Sequence, residues 1–307
     1  MDFLRPSTWA EALAMKAERP EAVPIAGGTD VMVEINLDKG RPAALLDLGP
    51  IAELARWDAP GSTPADADAL GALGGLDGLE RLDGFVRVGA GVTYTRLIAE
   101  LAPLMPGLAQ ASRTVGSPQI RNRGTVGGNL GAASPAGDSH PPLLAAGAVV
   151  EAESVRGTRL IPIRDFYTGV KRNALAPDEL IRAFWIEPAP GPQYFSKIGP
   201  RNAMVIAVCS FSVALDPVRR AVGTGIGSAA PTPRRAVAAE EFLAERLDWD
   251  GRAPLSPEVT ARFGELVAEA AAPIDDVRGS AAYRLHSLTV LARRTVTWAW
   301  NDYRGSA

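Results

Sequence analysis

The sequence predicts an α+β protein of two or three lobes, on three observations. Its 307 residues suit two domains or three small ones, at roughly 100–200 residues per domain. The N-terminal part mixes strands and helices too short for a complete doubly wound sheet. Beyond about residue 188, extended runs precede helical ones instead of alternating with them, as in a separate α+β domain. Hydrophobic content of 47% supplies a packed core, and 31 glycines with 25 prolines mark many tight turns. Disorder, a collagen-like chain and a coiled coil are excluded.

Taken in order, the first helix starts at Thr8, with Glu11 at capping-box spacing and Trp9 and Leu13 one turn apart on the buried side. A short strand, Val23-Pro24-Ile25, stops at Gly27-Gly28, and another follows at 44–48. These form a small lobe ending near residue 55. Residues 58–84 are an acidic, glycine-rich insertion, expected as a surface loop or hairpin. A strand at 85–88 and a helix at 93–100 follow. Strands at 148–152 and 159–163 flank Arg156-Gly157 as a hairpin. The last lobe carries extended runs at 205–215 and 222–226, then helices at 235–246, 256–271 and 280–300. Leu285, Leu288, Ala292, Val296 and Ala299 mark the inner face of the last helix.

Composition removes several functions. A net charge of −3 gives no electrostatic reason to bind nucleic acid or an acidic membrane. Ala203 to Leu215, the longest apolar stretch, is short of the roughly 20 residues a membrane span needs. No membrane insertion is expected. Without an apolar run at the N-terminus, neither is a secretory signal, so the expected location is cytoplasmic. The single cysteine, Cys209, excludes a disulfide framework and an all-cysteine cluster within one chain. His140 and His286 are the only imidazoles, no His-Glu-x-x-His occurs, and no Gly-Lys pair makes a P-loop. No metal site and no catalytic acid, base or nucleophile is expected.

Two glycine patterns read as structural. Gly89-Ala90-Gly91 follows a strand, but Tyr94 fills the sixth position of the dinucleotide fingerprint, so a turn is expected. Gly223-x-Gly225-x-Gly227 reads as a strand lying close to another backbone. Two others point to a ligand. Ala26-Gly27-Gly28-Thr29-Asp30 follows a strand, and Thr125-Val126-Gly127-Gly128-Asn129 runs on through Ser134-Pro135-Ala136-Gly137-Asp138. Glycines let backbone N–H groups approach a phosphate with no Cβ between them, and threonine adds a hydroxyl. Two such turns suggest one diphosphate held from two sides.

These two segments, the second with its context from Gln119 to Asn129, resemble the FAD-binding segments of the flavoprotein (medium) subunits of molybdenum hydroxylases. That family includes carbon monoxide dehydrogenase, bacterial xanthine dehydrogenases and 4-hydroxybenzoyl-CoA reductase. The resemblance continues through Ile161–Gly169, Pro177–Ile181, Phe195-Ser196-Lys197 with Arg201, Ala230–Ala236 and Arg278–Arg284, nearly the whole chain except the insertion.

The resemblance implies the bipartite FAD-binding fold of the vanillyl-alcohol-oxidase class, with subdomains at 1–55 and 56–187 and a C-terminal α+β domain at 188–307. It implies non-covalent FAD. Ile25, Ala26, Gly27, Gly28, Thr29 and Asp30, with Thr125, Val126, Gly127, Gly128 and Asn129, would hold the diphosphate. Asp138 would reach the ribityl or diphosphate linker, Ser134 is a further contact, Ile181 would lie against the flavin, and Lys197 would sit near its ring. His140 reads as a turn residue and His286 as a satisfied structural histidine. Iron–sulfur clusters and the molybdenum cofactor would reside on partners only: a small [2Fe–2S] subunit and a large molybdenum subunit, as a dimer of heterotrimers. Electrons would pass through FAD to NAD, a quinone or oxygen. The alternative is a self-contained flavin oxidase or reductase of the same fold, for which no acid or base stands out.

Overall fold

The computed structural model describes residues 1–61 and 82–305, with helices and strands mixed along the chain. A three-stranded parallel sheet opens it, β1 (Asp2–Leu4), β2 (Val23–Ile25) and β3 (Ala44–Asp47), in the order β1-β3-β2. Helix α1 (Trp9–Glu18) buries Trp9 and Leu13 against it. Thr8 caps α1 by accepting the Glu11 N–H. The return bond of the expected capping box shifts by one residue: Glu11 accepts from the Ser7 N–H and hydroxyl instead.

The second sheet is antiparallel and runs β4 (Trp57–Asp58), β5 (Val86–Gly89), β10 (Leu180–Ile186), β6 (Val149–Ser154) and β7 (Gly157–Pro162). The expected hairpin around Arg156-Gly157 joins β6 to β7, pairing Ser154 with Gly157. Buried Glu151 accepts two bonds from Arg87 and one from the Trp185 indole, so its charge is paired inside the sheet. The first lobe is latched onto this sheet. Trp9 Nε1 donates to Glu153, Arg182 donates to Glu53, and the Arg182 guanidinium stacks 4.8 Å above the Trp9 ring. Most of the expected insertion, residues 62–81, lies outside the described residues. Its ends meet where the Gly61 N–H donates to the Asp83 carbonyl.

The third sheet, β11 (Gln193–Ile198), β12 (Cys209–Asp216) and β13 (Ala221–Gly227), is an antiparallel meander. Three helices cover it, Val237–Ala244, Pro257–Glu269 and Ala281–Gly305. Phe211, Phe263, Leu288, Val296 and Trp300 form its core. The extended run expected from residue 205 becomes a strand only at Cys209. Before that the backbone acceptors are taken by side chains, Val205 by Lys197, and Ala203 and Met204 by Arg201. His286, expected as a satisfied structural histidine, is exposed on the last helix, because the apolar spacing turns Leu288 and Ala292 inward instead.

The other face of the third sheet receives helix α7 (His140–Ala145). A β-carbon added at Gly223 or Gly225 would lie 2.0 Å from the carbonyl oxygen of Ala145 or Pro141. The glycine stripe is therefore the close approach of strand to helix that the sequence suggested. Gly225→Ala is expected to destabilise the fold by roughly 1–3 kcal/mol through overpacking. Gly40→Ala, where an added methyl meets nothing within 4 Å, is expected to be near neutral. Urea midpoints at constant m-value check this, and equal midpoints would refute it.

Candidate functional site

The two glycine turns come together because of one missing side chain. The turn after β2 brings Gly27 so close to the second segment that a β-carbon would sit 2.0 Å from the Arg123 carbonyl oxygen. Gly28 follows with φ +75°, a left-handed conformation that favours glycine. Thr29 Oγ1 lies beside Gly124. Asp30 is exposed, and its carbonyl accepts the N–H groups of Val33 and Glu34 in the short helix α2 (Val31–Asn36).

In the second segment, helix α5 (Pro118–Arg123) leads into α6 (Val126–Ala132). Thr125 caps α6, its Oγ1 accepting the Gly128 N–H at 2.9 Å. Gly127 and Gly128 differ in what they face. A β-carbon at Gly127 would lie within 2.6 Å of the Ala90 backbone, so Gly127 serves packing against the Gly89–Gly91 turn rather than leaving room for a phosphate. Gly128 is exposed, and a β-carbon there would meet only Thr125 Oγ1, at 3.1 Å. The open face expected of both glycines belongs to Gly128. Val126 is buried and Asn129 half-buried.

The loop that follows is polar and enclosed. Ser134 Oγ accepts the Ala136 N–H, and the Pro135 carbonyl accepts the Ser228 N–H from the third lobe. Asp138 is 8% exposed. Its Oδ2 accepts from Lys197 Nζ at 2.6 Å and shares the Thr114 hydroxyl proton, at 3.0 Å, with the Ala111 carbonyl at 2.7 Å, while Oδ1 is buried with no partner. Burial pushes the Asp138 carboxyl up from its ordinary value, against the charge and hydrogen bond of Lys197 and the hydrogen bond of Thr114. Lys197 spends its other donors on the carbonyls of Thr114 and Val205. It is therefore an internal tie with its ammonium protons engaged, and a free donor for a flavin ring is not what the geometry gives. Ile181 lies at a β-bulge of β10, largely buried, its Cδ1 under exposed Gly131.

Several polar residues around the site carried no signal of their own in the sequence. Ser139 donates to Asn129 Oδ1 and stands 3.1 Å from the Tyr94 hydroxyl, and Thr114 holds Asp138. Tyr94 is the residue that broke the dinucleotide fingerprint, and that substitution was the one available hint. His140 is more than a turn residue. It is fully buried, with Nδ1 2.7 Å from the Tyr167 hydroxyl. Among the described residues, no group of three or more His, Cys, Asp or Glu side chains could hold a metal ion.

With this geometry in view, comparisons place the chain. The family model described as FAD binding domain in molybdopterin dehydrogenase matches residues 1–64 and 68–188, and the CO dehydrogenase flavoprotein C-terminal domain matches 194–299. The chain belongs to this family of oxidoreductase flavoprotein subunits. It is 31% identical to the xanthine dehydrogenase FAD-binding subunit of Escherichia coli O157:H7, over 97% of this chain and 95% of the relative. It is 29% identical to the carbon monoxide dehydrogenase medium chain of Afipia carboxidovorans, covering 96% and 95%. The crystal structure of a Cu,Mo-CO dehydrogenase superposes with a TM-score of 0.83 at 27% identity over 98% of both chains. Quinoline 2-oxidoreductase from Pseudomonas putida 86 shares the fold, with a TM-score of 0.83 at 22% identity over 99% of this chain and 98% of that one.

The His140 imidazole makes stability pH-dependent. Burial lowers its pKa to about 3 from an ordinary 6.5. Between those values the unfolded chain takes up a proton that the folded chain refuses, so stability falls as pH drops from 6.5. The slope expected from one proton is about 1.4 kcal/mol per pH unit. Urea unfolding should show wild type losing about 1.6 kcal/mol more stability than His140→Gln between pH 6.5 and 5, the unfolded histidine being only half protonated at 6.5. Identical slopes would contradict the assignment.

Proposed function

We propose that the two turns and the Asp138 loop hold FAD non-covalently, and that the chain is the electron-transfer subunit of a molybdenum hydroxylase complex. The observation that carries this reading is the partnerless Oδ1 of buried Asp138, beside turns whose outer face is open at Gly128. A buried acceptor without a donor is costly, and a cofactor hydroxyl would satisfy it. Ile25, Ala26, Gly28, Thr29 and Asp30 line one side of the diphosphate. Gly128 and Asn129 line the other, with Gly27, Thr125, Val126 and Gly127 shaping the backbone. Ser134 borders the linker, and Ile181 offers an apolar surface for the ring. Lys197 acts through Asp138, holding its carboxylate oriented.

When bound, FAD supplies the redox chemistry that side chains lack. The chain's own task is to bind, orient and enclose it. In this reading residues 1–55 and 56–187 are the two FAD-binding subdomains, and 188–307 is the C-terminal domain. Electrons arrive from [2Fe–2S] clusters on a small partner and leave to an acceptor such as NAD, a quinone or oxygen. Substrate is oxidised at a molybdenum cofactor on a large partner, and the complex is a dimer of heterotrimers. No helix of the described residues is long and apolar enough to cross a membrane, consistent with the cytoplasmic assembly proposed.

Gly128→Val is expected to abolish FAD retention with the fold intact, because its side chain occupies the open face. Flavin absorbance per chain after gel filtration, beside far-UV circular dichroism, measures this, and full occupancy would sink the site assignment. Asp138→Ala is expected to do more than weaken FAD. It strips the counter-charge from Lys197, whose side chain is only 10% exposed, at about 3–5 kcal/mol of stability. Asp138→Asn also removes the charge, and its amide oxygen turns to Lys197 and Thr114 and leaves NH2 at the Oδ1 position, so it should lose FAD as well. The purified chain should carry FAD without stoichiometric iron or molybdenum. Metal analysis showing iron bound to the lone subunit would overturn the electron route.

A further inference from the structure

Asn129 is a poor anion ligand unless something decides which way its amide points. The two ends of an amide are nearly alike in shape, one a donor and the other an acceptor. Turned with its oxygen outward, Asn129 would repel a phosphate.

The structure contains the device that decides. Ser139 Oγ donates to Asn129 Oδ1 at 2.6 Å, and the Tyr94 hydroxyl lies 3.1 Å from Ser139 Oγ. A serine hydroxyl has one proton. Among the described residues the buried Tyr94 hydroxyl has no other partner, so its proton goes to Ser139 and that of Ser139 to Asn129 Oδ1. With the amide reversed, donation would run outward from Asn129 and leave the Tyr94 proton without an acceptor. Tyr94 and Ser139 are both buried. Burial raises the Tyr94 phenol above its ordinary value, which keeps its proton in place.

Two further contacts hold the chain of bonds still. The Tyr94 N–H donates to the Gly124 carbonyl at 3.0 Å, tying Tyr94 to the base of the second turn. The loop backbone closes over the oxygen side of Asn129: a β-carbon at Gly137 would lie 2.8 Å from Oδ1 and 2.3 Å from His140 Nε2. Among the described residues, Asn129 Nδ2 has no hydrogen-bond partner, and Asn129 is half-buried beside the exposed Gly128.

We propose that Tyr94 and Ser139 are positioning residues that lock the Asn129 amide with its NH2 outward, as a fixed donor to the diphosphate of bound FAD. Neither touches the ligand. The inference rests on the FAD reading above and adds to it the residues that set the affinity of the second turn.

A double-mutant cycle in FAD affinity tests this, with FAD titrated into flavin-stripped protein and circular dichroism reporting the fold. Ser139→Ala is expected to weaken FAD binding roughly 3- to 30-fold when Asn129 is present, and not at all in an Asn129→Ala background. Tyr94→Phe should weaken it less, and Ser139→Thr should restore affinity by keeping the hydroxyl. A purely structural serine would lower affinity equally in both backgrounds, and that result, or unchanged affinity in Ser139→Ala, overturns the proposal while leaving FAD binding in place. If Tyr94→Phe does not fold, the Ser139 cycle alone decides. Wild type that binds no FAD overturns the functional reading beneath it.

Discussion

The buried pair between Lys197 and Asp138 is the interaction on which the rest of the site depends. Lys197 belongs to the first strand of the third sheet, Asp138 to the loop after the second glycine turn, and Thr114 to a helix of the middle lobe. One ammonium thus fixes three parts of the chain. Removing either charge would strand the other in a largely buried setting. The pair leaves Asp138 Oδ1 as a buried acceptor with a fixed direction. A site that must recognise hydroxyls gains from an acceptor it need not reorganise.

Backbone proximity does the remaining shaping. Gly27 against Arg123, Gly127 against Ala90, and Gly223 and Gly225 against α7 are all places where a methyl group would overlap a main chain. Each brings a loop or helix bearing site residues nearer its support than any other residue allows. The first contact joins the two glycine turns, and the last fixes the helix that begins at His140. Gly128 is the contrast, since it is exposed and an added methyl would meet only the Thr125 hydroxyl, at 3.1 Å.

The arrangement suits binding better than bond-making by the chain itself. His140 is held neutral, with a pKa near 3, against Tyr167. Cys209 is buried, and its thiol is pushed up to about 12. Neither offers an acid, base or nucleophile at ordinary pH. That fits relatives named as one subunit or chain of a larger enzyme.

Local sequence by itself determined much of this protein. Turn glycines, the Thr8 cap, the hairpin at Arg156-Gly157 and the apolar spacing of the last helix all act over a few residues, so their signals are written contiguously. The long context of the second glycine turn was specific enough to suggest the family. Only the tertiary structure decided that Gly27 and Gly127 pack against main chain while Gly128 stays exposed, because that depends on Arg123 and Ala90 lying against the first two. The same holds for Lys197, which in sequence is a charged residue free to reach a ring and in the fold is an internal tie. Tyr94, Ser139 and Asn129 are neighbours only after three separate segments pack together. Hydrogen bonds between side chains 45 and 10 residues apart leave no periodicity to read, since nothing local constrains them.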